Sequence, residues 1–211
     1  VAIHLFNNGE PKMTPRLSLF LAITALLAIT LTTLPQTALA QDKLTPANLT
    51  AQLHGLKKLS FHPGDNDVHF DGIDADGRIT VGYMQFGTTG SHDVFIVTMQ
   101  ADSGSWLIVP IGNNEDETID DAPFDGELVE KTVRFFNGFL GSTPETFLFI
   151  AGKDYKHRTA TGGTPVNISV EILKPDDEPP FSFQPILEYR TAKTYDDANE
   201  ALFSELKIPK P

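Results

Sequence analysis

Residues 67–111 set the terms for the whole chain, because they read as several short apolar strands in succession with only turns between them. Ala75-Asp76-Gly77, Gly87-Thr88-Thr89-Gly90 and Asp102-Ser103-Gly104 supply the turn chemistry. No helical period separates the runs in the alternating manner of a parallel sheet, so an antiparallel all-β arrangement is expected. Within 78–86, Ile79, Val81 and Tyr83 fall on one face and Met84 and Phe86 on the other. Within 94–99, Val94 and Ile96 oppose Phe95, Val97 and Met99, and 106–111 is apolar on both sides. Strands apolar on both faces are buried on both, which places this stretch at the centre of the structure.

The remaining chain extends the same pattern. Residues 59–61 and 68–70 are strand candidates flanking the turn cluster Pro63-Gly64-Asp65-Asn66. At 128–136, Val129, Val133 and Phe135 are expected to face inward and Glu130, Thr132 and Arg134 outward. A short apolar strand follows at 147–151. At 166–173, Val166, Ile168, Val170 and Ile172 alternate with Asn167, Ser169 and Glu171, the pattern of a half-buried strand with a wet outer face. A helix is expected at each end. The first covers 44–57, with Thr45 as its cap and Pro46 in its first turn; the second covers about 195–206, capped by Thr194. The fold class is therefore mainly β: an antiparallel β-sandwich, of jelly-roll type in one variant, with a short N-terminal helix and a C-terminal helix.

Residues 1–40 are set apart as a secretory signal peptide. Arg16 precedes an uncharged apolar run over 17–34, and Ala38-Leu39-Ala40 is a small-x-small cleavage site. Residues 1–12 lie upstream of the expected start at Met13. Cleavage leaves about 170 residues, enough for one domain with a sizeable core. These divide into a sandwich domain at 41–173, a stiff Pro-rich acidic linker at 174–180, and an extension at 181–211 that packs on the domain or on a partner.

Lys12, Arg16 and Glu10 leave with the leader, so a net charge of −12 becomes about −13. So acidic a surface offers no footprint for nucleic acid, and an anionic membrane would repel it. There is no cysteine, which excludes disulfides, thiolate catalysis and lipid attachment at the cleavage site. The mature chain has no second run long enough to span a membrane, and the expected compartment is the periplasm or the exterior of a bacterial cell.

Two groups of residues carry candidate chemistry. If 67–71 is a strand, Asp67, His69 and Asp71 project from one face at period two, and His62 or His92 would complete a divalent-metal set. The competing reading is the charged outer face of an edge strand. The acidic connection 113–126 could hold calcium, although such runs more commonly stay solvated. Asp74, Asp76 and Gly77 fit three places of a calcium loop, but Gly72 and Tyr83 occupy its first and twelfth, and an Asp-Gly turn accounts for the same residues. Trp106 invites comparison with a sugar-binding platform, together with Tyr83, Phe135, Phe136 and Phe139, whereas its apolar neighbours assign it to the core.

No nucleophile elbow, zinc-protease helix or phosphate-binding loop occurs in the sequence. The leading expectation is a non-catalytic exported protein that binds a protein, glycan or small molecule and needs no cofactor. Its contact surface is expected at the loop end that carries Ser91, His92 and Asp93 with Glu115, Asp116 and Glu117. The alternatives are a zinc- or calcium-dependent hydrolase using the His/Asp group, and a structural subunit that docks through its C-terminal segment.

Overall fold

The computed structural model describes residues 44–86, 90–101, 103–112, 116–124, 128–154, 156, 163–176 and 181–209. Side chains of 86, 90, 91, 122–124 and 128 are outside that description. Helix α1 (Pro46–Gln52) opens on Thr45, whose hydroxyl accepts from the backbone N–H of Asn48 at 3.2 Å. The expected helix to residue 57 stops at Gln52, and β1 (Leu53–Lys58) begins at once. Leu53 and Leu56 stand at a helical spacing, and they share one side of the strand only because the ladder shifts register between His54 and Lys57. The open edge of a long strand at 128–140 decides, because pairing satisfies backbone groups that a free helix end would leave bare. Gly55, at φ 64°, accommodates the irregularity that falls between His54 and Lys57.

Beyond β1 come β2 (Gly64–Phe70), β3 (Ala75–Phe86), β4 (Gly90–Gln100), β5 (Trp106–Ile108), β6 (Ile119–Asp120), β7 (Ala122–Phe124), β8 (Leu128–Leu140), β9 (Thr143–Lys153), β10 (Thr164–Pro175), β11 (Phe181–Tyr195) and α2 (Ala198–Leu206). The strands form two antiparallel sheets. One runs β1-β8-β9-β10-β11, with β7 also on β8; the other runs β2-β3-β4-β5, with β6 also on β4. The architecture is a β-sandwich with two short helices, as its alternating patterns and turn spacing imply. No helix among the described residues is long and apolar enough to cross a membrane.

The larger sheet, and not residues 67–111, is the central layer. One of its faces meets the smaller sheet: Val133, Phe135, Leu148, Leu173 and Phe183 pack with Phe70, Ile79, Val81, Phe95, Val97 and Met99. Its other face meets the helices: Phe136, Phe147, Phe149, Val166, Ile168, Val170 and Ile172 pack with Leu49, Ala198, Leu202 and Leu206. The smaller sheet has only its inner face covered. Phe95, Val97 and Met99 are buried, Val94 and Ile96 half-buried, and Met84, Trp106 and Ile108 exposed; Tyr83, in register with Ile79 and Val81, is exposed beyond the covered part of the inner face. Apolar runs on both faces of β3 to β5 therefore reflect an exposed outer face and not a second core. Residues 59–61 are a crossing segment without strand pairing, while Gly64 to Asn66, read as a turn, belong to β2.

The C-terminal segment is built into the sheet. β11 pairs with β10 from Pro175↔Phe181 to Thr164↔Tyr195, and Pro185 sits on this edge strand, where a missing donor is tolerated. Thr194 and Tyr195 stay in the ladder, so the helix cap moves to Asp197, whose carboxylate accepts from the N–H groups of Asn199 at 2.7 Å and Glu200 at 3.3 Å. Ala198, Ala201, Leu202, Phe203 and Leu206 are buried.

Glu171 departs from the expected wet face. It is only 3% exposed, with Oε2 accepting from the N–H of Gly112 at 3.1 Å and Oε1 from the Ser169 hydroxyl at 3.1 Å. Gly112 holds φ 71°, a backbone state that glycine adopts without strain, so its N–H can reach the carboxyl. Burial pushes the Glu171 pKa up to about 7, and the nearby Glu188 and Asp116 add to the rise.

Leu202→Ala is expected to cost about 2–4 kcal/mol in urea unfolding, since a fully buried side chain leaves a cavity. The raised Glu171 pKa means that the folded state holds its proton more tightly than the unfolded chain does. The resulting stabilisation is complete below about pH 4.5 and is lost as pH rises to about 7, a fall of about 3 kcal/mol. Glu171→Gln should flatten that part of the stability–pH curve; an unchanged slope would assign it to other groups.

Candidate functional site

A cleft of about 360 Å³ opens between the two sheets where residues 59–63 cross from β1 to β2. The crossing is held by hydrogen bonds. Leu59 N–H donates to the Phe135 carbonyl at 2.9 Å, and His62 N–H donates to the Asn66 side-chain oxygen at 2.9 Å. The buried Asn66 amide nitrogen in turn donates to the carbonyls of His62, Gly64 and Ile79 at 2.9–3.1 Å. This clasp uses both ends of one amide to tie the crossing segment to the smaller sheet. Nothing in the sequence marked Asn66 beyond its place in a turn cluster.

The floor of the cleft is apolar: Phe61, Val81, Phe95, Val133 and Phe135. Three of these rings meet edge to face or tilted, with centroids 5.6–6.2 Å apart, a favourable quadrupole arrangement. The mouth is charged, lined by Lys58, His62, Asp93, Asp121 and Arg134. Arg134 Nη1 donates to Asp121 at 3.1 Å and to the Val133 carbonyl at 2.8 Å, and Nη2 donates to Asn199 at 2.8 Å. Its Nε is buried with no partner among the described residues. Burial pushes the Asp121 carboxyl up despite the opposing pull of Arg134, while Lys58 is lowered by burial and then by the Arg134 charge.

The residues singled out by spacing are distributed over several places. Asp67 and His69 do share the outer face of the smaller sheet, both exposed. Asp67 pairs with Arg78 at 3.0 Å, and His69 Nδ1 lies 2.9 Å from Asp76, whose hydrogen bond raises the imidazole pKa. Asp71 lies beyond the end of β2 and accepts from the Asn137 amide at 2.9 Å. His62 is at the cleft, its Nδ1 2.9 Å from the Pro63 carbonyl. His92, in β4, faces Asp120 at 3.2 Å, and Asp120 is shared with Lys131 at 2.7 Å. Among the described residues no group of three or more histidines and acids stands ready to hold a metal ion.

Of the loop-end residues, Asp93 reaches the cleft mouth. Asp116 forms a two-way backbone bridge with Ile111, at 2.9 and 3.1 Å, and it and Glu117 are exposed. The side chain of Ser91 and all of Glu115 lie outside the described residues.

Because Arg134 neutralises a mostly buried carboxylate, Arg134→Met is expected to destabilise the fold by about 2–4 kcal/mol at neutral pH. Adding Asp121→Asn should recover a large part of that loss. A double-mutant cycle showing additive effects would remove the ion pair from this account.

No family model matches the sequence, and no curated protein matches it either. The crystal structure of CarG superposes on the chain with a TM-score of 0.55, covering 69% of this chain and 92% of CarG at 15% sequence identity. At that identity the likeness is one of fold.

Proposed function

We propose that the mature chain is an exported, non-catalytic binding protein that takes a compact, partly apolar ligand in the cleft between its sheets. The observation that supports this reading is the cleft itself, with a phenyl floor closed by a ring of charged groups. Ligand sites in folded domains commonly combine an apolar lining with a few fixed polar groups, and volumes of about 300 Å³ and upward suit small molecules. The cleft opens beside Asp93 and Asp121, near the loop end where a rigid sandwich offers its most adaptable surface. Arg134 and Asp121 at its mouth are already paired, which lowers the desolvation cost of bringing a polar ligand end against them.

The test is a thermal-shift screen of small molecules on the mature protein, followed by hydrogen exchange on any hit. A ligand at about one hundred times its dissociation constant should stabilise the fold by about 2.7 kcal/mol. Protection should concentrate in 58–63, 93–95 and 133–135. Ser60→Trp places an indole at the mouth from an exposed position, so it should abolish the shift while leaving the free protein folded. Undiminished binding by that variant, or protection confined to other segments, would overturn the assignment. Catalytic turnover of the ligand without added metal would overturn the non-catalytic part.

A further inference from the structure

Trp106 is the chain's single tryptophan, and it lies 45% exposed on the outer face of the smaller sheet. Its ring is backed by a fixed cation. The Arg78 guanidinium carbon stands 4.6 Å from the ring centroid, at the distance of a cation–π contact. That guanidinium is itself held by two carboxylates: Nε donates to Asp67 at 3.0 Å and Nη1 to Asp65 at 3.1 Å, while the Thr80 hydroxyl donates to Asp65 at 2.7 Å. Side chains this long and this exposed normally lose order to solvent. Here the face is organised before any ligand arrives.

Beside the indole lies a shallow depression of about 500 Å³ lined by Asp67, His69, Asp76, Arg78, Gln100 and Trp106. Gln100 turns its amide nitrogen to the Gly104 carbonyl at 3.1 Å, which presents its amide oxygen as an acceptor. His69 is oriented by Asp76 at 2.9 Å. Planar groups with fixed acceptors and donors therefore surround one aromatic surface.

We infer that this face is a second binding site, separate from the cleft, and that it takes a neutral pyranose-containing glycan. A pyranose offers a flat patch of C–H groups that packs on an indole, with vicinal hydroxyls around its rim that match carboxylate, amide and imidazole partners. Acids at Asp65, Asp67, Asp74 and Asp76 repel uronate, sialate and phosphate groups, so the glycan is uncharged. A protein partner of ordinary affinity needs about 800 Å² per side with an apolar centre. The apolar residues in the lining of this depression are Trp106 and Val68, set amid hydrogen-bonded polar groups.

The lone tryptophan makes the site directly observable, because its emission reports this face and not the cleft. The mature protein is titrated with cellohexaose, maltohexaose, xylohexaose and chitohexaose, and with oligogalacturonate as the acidic control. At least one neutral oligosaccharide should shift the Trp106 emission saturably below about 10 mM, and the acidic one should not. By saturation-transfer NMR, Trp106→Ala should weaken binding about tenfold or more with an unchanged melting temperature, Trp106→Phe should retain most of it, and Gln100→Ala should weaken it severalfold. No response to any neutral oligosaccharide would overturn the inference. So would an equal response to oligogalacturonate, or undiminished binding by Trp106→Ala. An emission shift that follows protein concentration alone would replace the glycan with a second copy of the chain.

Discussion

The segment Phe147-Leu148-Phe149 constrains the molecule more than any other. Successive residues of a strand point to opposite faces, so three large apolar residues in a row demand two separate cores. All three are fully buried: Leu148 in the core shared with the smaller sheet, Phe147 and Phe149 in the core shared with the helices. Burying such side chains contributes about 2–3 kcal/mol each, which no other element could offset if either cover were missing. The adjacent pair Phe135 and Phe136 repeats the division one strand away. The C-terminal helix is thus committed to its own chain, where Leu202 and Leu206 close a face that would otherwise expose phenyl rings to water.

That commitment leaves the outer face of the smaller sheet and the seam between the sheets among the open surfaces of the molecule. On the smaller sheet's outer face the acids are not scattered charge. Asp65 and Asp67 grip Arg78 and Asp76 orients His69, while the half-buried Asp120 at the sheet edge joins His92 to Lys131 of the larger sheet. Exposed ion pairs of this kind add little to stability, so their consequence is geometric: they hold long side chains in one place. Glu171 shows the opposite regime. Inside the sandwich, near other acids, a carboxyl keeps its proton toward neutral pH and serves as a hydrogen-bonding strut to the Gly112 loop.

Period and turn chemistry made the strands legible but not their depth. The alternation of Val166, Ile168, Val170 and Ile172 located β10 and one of its buried faces, which proves to be the side that meets the helices. The same alternation placed Glu171 in water, because a pattern of two cannot reveal that the Gly112 loop meets that position. Val94, Ile96, Trp106 and Ile108 suggested a central strand pair, yet they line an outer face, since an apolar residue type records an affinity for cover and not its presence. Helix ends failed for a related reason. Residues 53–57 and 194–195 are ambiguous locally, and distant strands at 136–140 and 164–165 took them into ladders. For the candidate chemistry, period two put Asp67 and His69 on one face, while Asp71 fell past the strand end and bonded Asn137. His62 and His92 were joined to them only by residue type. Each histidine among the described residues finds its own neighbour, as His54 also does by stacking on Phe139 at 5.2 Å.

The cleft follows from how the chain changes sheets. A crossing from the edge of one sheet to the edge of another must leave the ladder, and its backbone groups then need other partners. Here Asn66 of β2 supplies them for His62, accepting from its N–H and donating to its carbonyl, while also donating to the Gly64 and Ile79 carbonyls of the smaller sheet. A side chain that satisfies a crossing from within the smaller sheet fixes the height at which the segment passes over the seam. The segment turns Phe61 inward, onto Phe95 and Phe135, and brings Ser60, His62 and Pro63 to the cleft wall. Had those positions carried large aliphatic side chains, the seam would have closed into continuous core, as it does beneath Leu148. Polar and small residues keep it open, and the buried charge of Arg134 opposes collapse, since closure would strip its remaining solvent without supplying a partner for its Nε. The gap is therefore specified by the same residues that hold the two sheets together.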